Sequence, residues 1–505
     1  MSEPLRPRAG DLAVLVALAA LSGALLLANL GNQYLWEDEA QTALLARSVL
    51  AHGIPHGTEG ANSFSQELGV EFGPDGVWRW HTWLSFYLVA ASFALLGESS
   101  FAARLPFALC GVATVLATWQ LARELWRDRV AAGTAAALLA LSVPFLLLAR
   151  QSRWYALTAL LETAGLVAYL RLAPGRRGPV WALGASLALL FHTHFLYAGL
   201  LGAALALHAA LFAREKLRGL TAAGAGAALL CAPWVVWLAG VRLGADYAAR
   251  LEAPATSLRF AAAYARLLFA VFLAHGLWLL AAPVLALRRR ARGAPFARLE
   301  PRVASGAALV AIHSLVGVAL LGALGPGVYL RYLTPLVPPL FALAGLCVGA
   351  LARAWPALGA VAAAGWVLAS PLDAFVYELR HDYDGPIEGL VEYLRRNARQ
   401  GDTVAIVFGD LPLKFYTPLR VVGGLTGESL DAARGAEWIV LRGTYNPAPM
   451  TRATREALRR LIAEGDYERI VLDAPELAFE NREDVRFHEF RSVEAARRVE
   501  IWRRR

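Results

Sequence analysis

Long apolar stretches, separated by short polar segments, dominate the first 372 residues of the chain. Examples are Leu12–Leu30, Val130–Leu148 and Val303–Leu324. A stretch of about 18 or more apolar residues with few charges is long enough to cross a bilayer as a helix. The pattern therefore predicts a polytopic α-helical membrane protein, with apolar runs near 11–30, 82–97, 101–122, 130–148, 154–171, 180–194, 195–213, 219–240, 264–286, 303–324, 332–352 and 356–372.

The run at 82–97 is ambiguous, because it is short and ends at the polar sequence Gly97-Glu98-Ser99-Ser100. If it does not cross the bilayer, the loops on one side carry eighteen Lys and Arg residues and the short loops on the other side carry six. Cytoplasmic loops are the ones enriched in Lys and Arg. The charge distribution therefore predicts about eleven spans, with 82–97 as a re-entrant or interfacial helix.

This topology places two long segments outside the cytoplasm. Arg6 and Arg8 precede the first run, which is longer than the apolar core of a typical signal peptide, so we expect an uncleaved signal anchor. Residues 31–100 then form the first extracytoplasmic loop of a membrane domain that extends over 1–372. The Ala- and Arg-rich composition indicates a bacterium, and hence the cytoplasmic (inner) membrane.

The remaining residues, 373–505, change character and predict a small soluble α/β domain on the extracytoplasmic side. Helical periodicity alternates with β-branched runs, and such alternation is typical of α/β folds. The expected helices are Ile387–Arg399 and Arg452–Ala463, and the expected strands are Thr403–Phe408, Trp438–Leu441 and Tyr467–Leu472.

Composition and short motifs exclude several classes of function. The chain is 57% hydrophobic and 18% charged, whereas soluble chains average about 25% charged residues. The net charge of +9 lies mainly in short loops and is not interleaved with aromatic residues, which argues against nucleic acid as a partner. The three cysteines are far apart in apolar runs, so they predict neither a disulfide nor a metal site. HExxH, P-loop and GxSxG sequences are absent, so hydrolase and ATPase functions have no motif support.

The first cluster that could carry chemistry is Trp36-Glu37-Asp38-Glu39-Ala40, directly after the first span. Three consecutive carboxylates repel one another unless a cation or a proton is nearby. They also begin an expected helix that is stopped by Gly53, and acidic residues are favourable at a helix N-terminus. Helix capping and substrate chemistry therefore both remain possible for this trio. Adjacent helical residues point about 100° apart, so Asp38 and Glu39 must have different roles.

Three further clusters combine cations with aromatic residues. Arg79 and His81 lie among three Trp residues at the end of the first loop, where either an aromatic belt or a phosphate site is possible. Arg150, Arg153 and Arg331 lie on the side that the positive-inside rule depletes, so each needs a local anion, such as a lipid phosphate or a carboxylate. The sequence His192-Thr193-His194 could ligate a metal, although such residues more often bind backbone or water.

All of these clusters fall on one side of the membrane in the predicted topology. Carboxylates, cations and aromatic residues at one interface suit group transfer from a lipid-phosphate donor. A carboxylate can deprotonate the acceptor nucleophile. Cations can neutralise the phosphate that leaves.

The chain resembles the GT-C superfamily of integral-membrane glycosyltransferases, and in particular the bacterial branch of protein O-mannosyltransferases and the aminoarabinose transferase of lipid A. Four pieces carry the resemblance in order and spacing over residues 1 to about 350: Trp36-Glu37-Asp38-Glu39-Ala40, the stretch Gly97 to Pro106 that matches G-x-S-x-F-x-x-R-L-P, Arg153-Trp154-Tyr155-Ala156-Leu157, and Arg331-Tyr332-Leu333-Thr334-Pro335-Leu336. The Lys/His-Pro-Pro sequence of the family is replaced here by Arg79-Trp80-His81-Thr82-Trp83.

The resemblance implies a glycosyltransferase that uses a polyprenyl-phosphate sugar. Asp38 would be the catalytic carboxylate, supported by Glu39. The candidate ligands of the donor phosphate are Arg79, His81, Arg150, Arg153 and Arg331, and the candidate substrate-binding residues are Tyr155 and Tyr332. The acceptor would be a glycan, a lipid or a protein. Some relatives need a divalent cation and others do not, so a metal cofactor stays open.

Two alternatives come from other classes of protein. A transporter or flippase of a lipid-linked precursor would place ionisable residues inside the bilayer. Glu162 is the only acidic residue well inside an apolar run. A non-catalytic envelope assembly protein would instead depend on residues 373–505.

Overall fold

Helices dominate the computed structural model, which describes residues 9–238, 254–273, 300–325, 327–383, 385–442, 449–476 and 498–505. In chain order they are α1 (Ala9–Leu27), α2 (Glu37–His52), α3 (Leu84–Leu96), α4 (Ser100–Trp126), α5 (Arg129–Ala140), α6 (Val143–Ala149), α7 (Tyr155–Leu170), α8 (Arg177–Thr193), α9 (Phe195–Phe212), α10 (Leu217–Leu238), α11 (Pro254–Leu267), α12 (Pro301–Leu324), α13 (Val337–Ala354), α14 (Pro356–Ala369), α15 (Leu372–Arg380), α16 (Pro386–Asn397), α17 (Asp410–Tyr416) and α18 (Pro449–Glu464). Shorter helical turns cover Arg214–Lys216, Leu268–Phe272, Leu330–Leu336 and Leu430–Gly435.

Six of the described helical segments are long and apolar enough to cross a membrane, and the number rises to eight if two bent helix pairs each form one span. The bent pairs are α5 with α6, at 64°, and α14 with α15, at 55°. The predicted multi-span helical character is therefore confirmed for this part of the chain. The number eleven stays a prediction, and the second half of the expected span 264–286 lies outside the described residues.

The ambiguous run at 82–97 forms α3, a helix of 13 residues. At 1.5 Å per residue, α3 is about 20 Å long, which is shorter than the roughly 30 Å hydrocarbon core of a bilayer. The length of α3 agrees with the interfacial or re-entrant helix that the charge distribution predicts.

The described chain divides into two compact units. Unit 1 contains residues 1–28 and 107–376, and unit 2 contains residues 29–106 and 377–505. In unit 1, α13 packs closely against α5. A Cβ atom added at Gly345 would lie only 2.4 Å from the Ala131 carbonyl oxygen, so this position requires glycine. Small residues permit such close approach between membrane helices, which gain stability from dispersion contacts.

Unit 2 contains a two-stranded antiparallel sheet and a five-stranded mixed sheet. The first consists of β1 (Thr58–Glu59) and β2 (Asn62–Ser63). The second consists of β3 (Thr403–Ile406), β4 (Arg420–Gly423), β5 (Trp438–Val440), β6 (Tyr467–Pro475) and β7 (Arg498–Arg504), in the order β4-β3-β5-β7-β6. The pairs β4–β3 and β3–β5 are parallel, and β7 is antiparallel to both of its neighbours.

Both faces of the parallel strands are buried. Val404 and Ile406 pack under α16 with Leu390 and Leu394, whereas Ala405 and Ile439 pack on the opposite face. A strand with two buried faces has a continuous apolar sequence, which is why β3 and β5 are recognisable in the sequence. The expected elements at 387–399, 403–408, 438–441, 452–463 and 467–472 correspond to α16, β3, β5, α18 and β6, whereas β4, β7 and α17 were not expected.

The first loop packs with the C-terminal residues, and this differs from the expected division at residue 372. The Asn62 side chain donates to the Leu419 carbonyl oxygen at 3.0 Å and accepts from the Val421 amide at 2.9 Å. The Leu68 amide donates to the Leu425 carbonyl oxygen. Hydrogen bonds from β1–β2 and the following turn therefore attach the first loop to the edge of the five-stranded sheet.

Candidate functional site

The acidic cluster lies in unit 2, in the first turn of α2. Trp36 occupies the N-cap position with extended backbone, so the helix begins at Glu37. Glu37 and Glu39 are buried, and Asp38 is half-buried. The expectation that Asp38 and Glu39 face different ways agrees with this difference in burial.

Glu39 forms a bidentate ion pair with Arg104. The guanidinium Nε donates to Oε1 at 2.9 Å and Nη2 donates to Oε2 at 2.6 Å, and both side chains are less than 10% exposed. Arg104 also donates to the backbone carbonyl oxygens of Leu30, Gln33 and Tyr34. Two of the sequence motifs thus meet through this pair, which connects the start of α4 to the start of α2 and to the segment that precedes it.

The pair gives the neighbouring carboxylates different chemistry. A buried carboxylate that is held by both donors of a guanidinium has a structural task. Asp38 is the member of the trio that reaches the surface, and its carbonyl oxygen accepts from the Thr42 hydroxyl, as expected one turn into a helix. Asp38 is therefore the carboxylate of the trio with access to solvent.

Arg79 and His81 lie near each other in the sequence but in different environments. Arg79 Nη2 donates to Asp75 Oδ2 at 2.6 Å, and this pair is partly exposed. His81 is buried, with its ring against Trp78 and Phe86 and its Nδ1 within 2.8 Å of the Thr82 carbonyl oxygen. The ring of His81 is therefore held by aromatic packing and by the Thr82 carbonyl oxygen.

Arg150, in unit 1, binds the end of a helix. Its Nη1 donates to the carbonyl oxygens of Leu25, Leu26 and Ala28 at 2.8–3.1 Å. These carbonyl oxygens lie at the C-terminus of α1, where hydrogen-bond acceptors lack partners within the helix and the helix dipole favours a cation. Backbone carbonyl oxygens, with their partial negative charge, thus supply at least part of the interaction that Arg150 was expected to need on this side of the membrane.

The Arg153 and Arg331 motifs meet in unit 1 through an aromatic cluster. Trp154 stacks on Tyr332 with ring centroids 5.6 Å apart and an angle of 9° between the rings. Trp154 also contacts Tyr155, His194 and Tyr197. We call Trp154, Tyr155, His194, Tyr197 and Tyr332 the aromatic cluster.

Arg331 lies beside this cluster on a short helical turn. Its guanidinium carbon is 4.2 Å from the centroid of the Tyr329 ring and 5.8 Å from that of Tyr332. The backbone of the turn is fixed by the Tyr197 hydroxyl, which donates to the Tyr332 carbonyl oxygen at 2.8 Å. Cation–π contact and packing thus hold a half-buried guanidinium, a group whose planar donors match phosphate.

A buried pair of a carboxyl group and an imidazole lies within unit 1. Glu162 Oε2 is 2.8 Å from His313 Nε2, and both side chains have no exposed surface. Among the described residues, Glu162 Oε1 and His313 Nδ1 have no hydrogen-bond partner. The pair joins α7, which follows Arg153, to α12, which precedes Arg331.

Sequence reasoning missed several of these contacts. Tyr197 and His313 were not singled out, because each is an isolated polar residue within an apolar run. No group of three or more His, Cys, Asp and Glu residues that could hold a metal occurs in the described ranges, including the neighbourhood of His192 and His194. That the acidic and basic clusters face one side of the membrane stays a prediction from the loop charges.

Comparison with known proteins identifies the fold. Residues 80–237 match the family model of dolichyl-phosphate-mannose-protein mannosyltransferases. No curated protein matches the chain significantly.

Solved structures match nearly the whole chain. The structure of ArnT from Cupriavidus metallidurans bound to undecaprenyl phosphate has a TM-score of 0.61 and 16% identity, and 98% of each chain is covered. Archaeal oligosaccharyltransferase AglB from Archaeoglobus fulgidus has a TM-score of 0.52 and 12% identity, with 91% of this chain and 69% of AglB covered. Mycobacterial arabinofuranosyltransferase AftD has a TM-score of 0.50 and 18% identity, with 99% of this chain and 42% of AftD covered. The chain therefore shares the fold of these solved structures, and the resemblance drawn from four sequence motifs is confirmed at the level of fold.

Proposed function

We propose that this protein is a membrane glycosyltransferase that moves a sugar from a polyprenyl-phosphate donor to an extracytoplasmic acceptor. The observation that carries the proposal is the difference between two neighbouring carboxylates. Arg104 fixes the buried Glu39, whereas Asp38, one residue away, is only half-buried. The shared fold supports the choice of donor, since undecaprenyl phosphate is bound to ArnT and dolichol phosphate to AglB.

In the proposed reaction Asp38 acts as a general base. It takes the proton from the acceptor nucleophile as that atom attacks the anomeric carbon of the sugar. The bond between the anomeric carbon and the phosphate oxygen breaks, and the electron pair leaves with the polyprenyl phosphate. Glu39 supports Asp38 by fixing the first turn of α2 through Arg104.

Arg331 and Arg153 are the proposed ligands of the leaving phosphate. Both are half-buried cations that adjoin the aromatic cluster, whose member Tyr332 is itself partly exposed. Tyr155 and Tyr332 belong to that cluster and are the proposed substrate-binding residues. Arg79, His81 and Arg150 have weaker support, because the structure gives each a local structural contact.

The decisive experiment compares Asp38→Asn with Asp466→Asn. Both variants replace a carboxylate of unit 2 by an isosteric amide, but Asp466 is exposed next to β6. With a polyprenyl-phosphate sugar supplied to the purified protein, we expect transfer to fall about 10²- to 10⁴-fold in Asp38→Asn. We expect no change in Asp466→Asn. Undiminished transfer by folded Asp38→Asn removes Asp38 from the mechanism.

The proposed sidedness has its own test. Arg176 is exposed in a loop that should be cytoplasmic, whereas Asp466 lies in the proposed extracytoplasmic domain. In a background without the native cysteines, a membrane-impermeant thiol reagent should label Asp466→Cys in spheroplasts and Arg176→Cys only after permeabilisation. The opposite labelling pattern would invert the topology.

Among the described residues, the buried pair Glu162–His313 favours transport, because ionisable residues inside a bundle often mark ion or proton pathways. Substrate accumulation in sealed proteoliposomes without covalent transfer would support a transporter. Loss of that accumulation in Glu162→Gln, with the protein still folded, would identify the pair as part of the pathway.

A further inference from the structure

The segment that leads into the acidic cluster is held largely by residues far away in the sequence. Residues 29–36 connect α1 to α2 and have no regular hydrogen-bond ladder of their own. The Asn32 side chain donates to the His381 carbonyl oxygen at 2.8 Å and accepts from the Tyr383 amide at 3.0 Å. The Tyr34 amide donates to Glu388 Oε1 at 2.7 Å. These partners all belong to the C-terminal part of unit 2.

Tyr416, at the end of α17, binds the same segment closest to Asp38. Its hydroxyl oxygen accepts from the Leu35 amide at 2.8 Å and lies 2.7 Å from the Ser100 hydroxyl. Its ring stacks on Tyr34, with centroids 4.1 Å apart and an angle of 21° between the rings. Burial raises the pKa of Tyr416, so the hydroxyl stays protonated at neutral pH and can donate to Ser100 while it accepts from Leu35.

Helix α17 is itself firmly attached. Lys414 is fully buried, and its ammonium donates to Asp410 Oδ2 at 2.7 Å and to the Ser63 carbonyl oxygen at 2.6 Å. Arg47, on α2, donates to the Phe415 carbonyl oxygen at 3.0 Å. Arg395 donates twice to the Tyr416 carbonyl oxygen, at 2.7 and 3.0 Å. A side chain carried by a helix with these contacts has little freedom to move.

We propose that Tyr416 is a positioning residue for Asp38, so that the C-terminal domain takes part in the reaction by fixing the start of α2. The inference rests on the proposed role of Asp38. Leu35 precedes Asp38 by three residues, and the Tyr416 hydroxyl is the hydrogen-bond acceptor of its amide. Tyr416→Phe keeps the ring stack on Tyr34 and removes the hydroxyl, so the Leu35 amide loses its acceptor and Ser100 loses its hydroxyl partner.

The experiment compares Tyr416→Phe with Tyr393→Phe. Tyr393 is a half-buried tyrosine of the same domain, and its ring packs edge-on against Trp438. Hydrogen–deuterium exchange of the peptide that covers residues 30–39 should become roughly 5- to 10-fold faster in Tyr416→Phe, because the net free energy that one hydrogen bond contributes is lost. In Tyr393→Phe the exchange of that peptide should match the wild type.

Kinetics give the second measurement. In Tyr416→Phe, kcat should fall about 10- to 100-fold with the KM for the donor unchanged, because a misplaced base slows the chemical step and leaves donor binding intact. Unchanged exchange, or unchanged kcat despite faster exchange, overturns the positioning role. Failure of the proposed function has a different signature, since Asp38→Asn would then retain full transfer whatever Tyr416→Phe does.

Discussion

The segment before Asp38 in unit 2 and the surroundings of Arg331 in unit 1 fix a charged residue in opposite ways. The first uses directional polar contacts. Arg104 donates to three carbonyl oxygens and to Glu39, and the side chains of Tyr416 and Glu388 accept hydrogen bonds from backbone amides. The second uses aromatic packing, with Tyr329 and Tyr332 against the guanidinium and Trp154 behind Tyr332.

The difference matches the chemistry proposed for each residue. A general base must lie within hydrogen-bond reach of one proton, so its backbone has to be fixed in position. A phosphate ligand acts through charge over a longer distance and tolerates small displacements. We therefore expect substitutions in the polar network to have sharp effects and those in the aromatic cluster to have graded ones.

The largest effect is expected from Arg104→Ala. Removing the guanidinium leaves Glu39 as an uncompensated buried charge, which costs about 3–5 kcal/mol of stability. The midpoint of thermal unfolding in detergent should fall accordingly. Arg396→Ala is the matched control, because its pair with Glu392 is exposed and should contribute little. Equal midpoints for the two variants would contradict the role assigned to the buried pair.

Arg331→Ala should lower kcat/KM about 10²- to 10³-fold, because a cation that stabilises the departing phosphate is lost. Arg331→Lys keeps the charge but not the planar set of donors, so it should fall between wild type and alanine. The measurement is steady-state transfer at varied donor concentration. A loss in Arg150→Ala as large as that in Arg331→Ala would show that Arg150 also serves the phosphate.

Tyr332→Leu tests the graded response of the aromatic cluster. The substitution removes the ring that stacks on Trp154, an interaction of about 0.5–1.5 kcal/mol, and keeps the carbonyl oxygen that binds Tyr197. We expect kcat/KM to fall about 2- to 12-fold, as that energy implies. Tyr332→Phe keeps the ring and should therefore lose less activity than Tyr332→Leu. If kcat/KM fell in Tyr332→Leu as much as in Arg331→Ala, exact positioning would matter as much in the aromatic cluster as in the polar network around Asp38.

The smallest effect is expected from Arg150→Met, which removes the cation at the C-terminus of α1. The favourable interaction with the helix end is about 0.3–1 kcal/mol, so the thermal midpoint should shift slightly and transfer should persist. Arg150→Lys should retain most of the stability. A selective loss of donor binding without a change in stability would return Arg150 to the list of phosphate ligands.

The sequence predicts those parts of the fold that depend on local pattern. Apolar runs and loop charges identify a multi-span protein, and the carboxylates followed by Gly53 mark α2, because its end needs a residue that adopts positive φ. The strand β7 was missed because five of its residues are not aliphatic: Arg498 and Glu500 flank Val499, and Trp502-Arg503-Arg504 follow Ile501, so the segment resembles a charged tail. The strand β4 has only four residues and begins with an exposed Arg420, so its signal is weak.

The candidate site is only half predictable for a related reason. Asp38, Arg153 and Arg331 stand out because charge is unusual where they lie, but their partners do not. Glu39 and Arg104 are 65 residues apart, and Leu35 and Tyr416 are 381 apart. Such pairs depend on how distant elements pack, which neither periodicity nor propensity encodes.

The pair Glu162–His313 has a consequence for biosynthesis. Its two members are separated by 151 residues, so at about 5–20 residues per second the ribosome needs roughly 8–30 s to deliver His313 after Glu162. During that interval α7 carries an acidic side chain whose partner has not yet been made, and a charge at the centre of an inserting helix costs about 2.5–3.5 kcal/mol. If α7 crosses the membrane, as the apolar run 154–171 predicts, its insertion therefore needs support from other segments until α12 supplies His313.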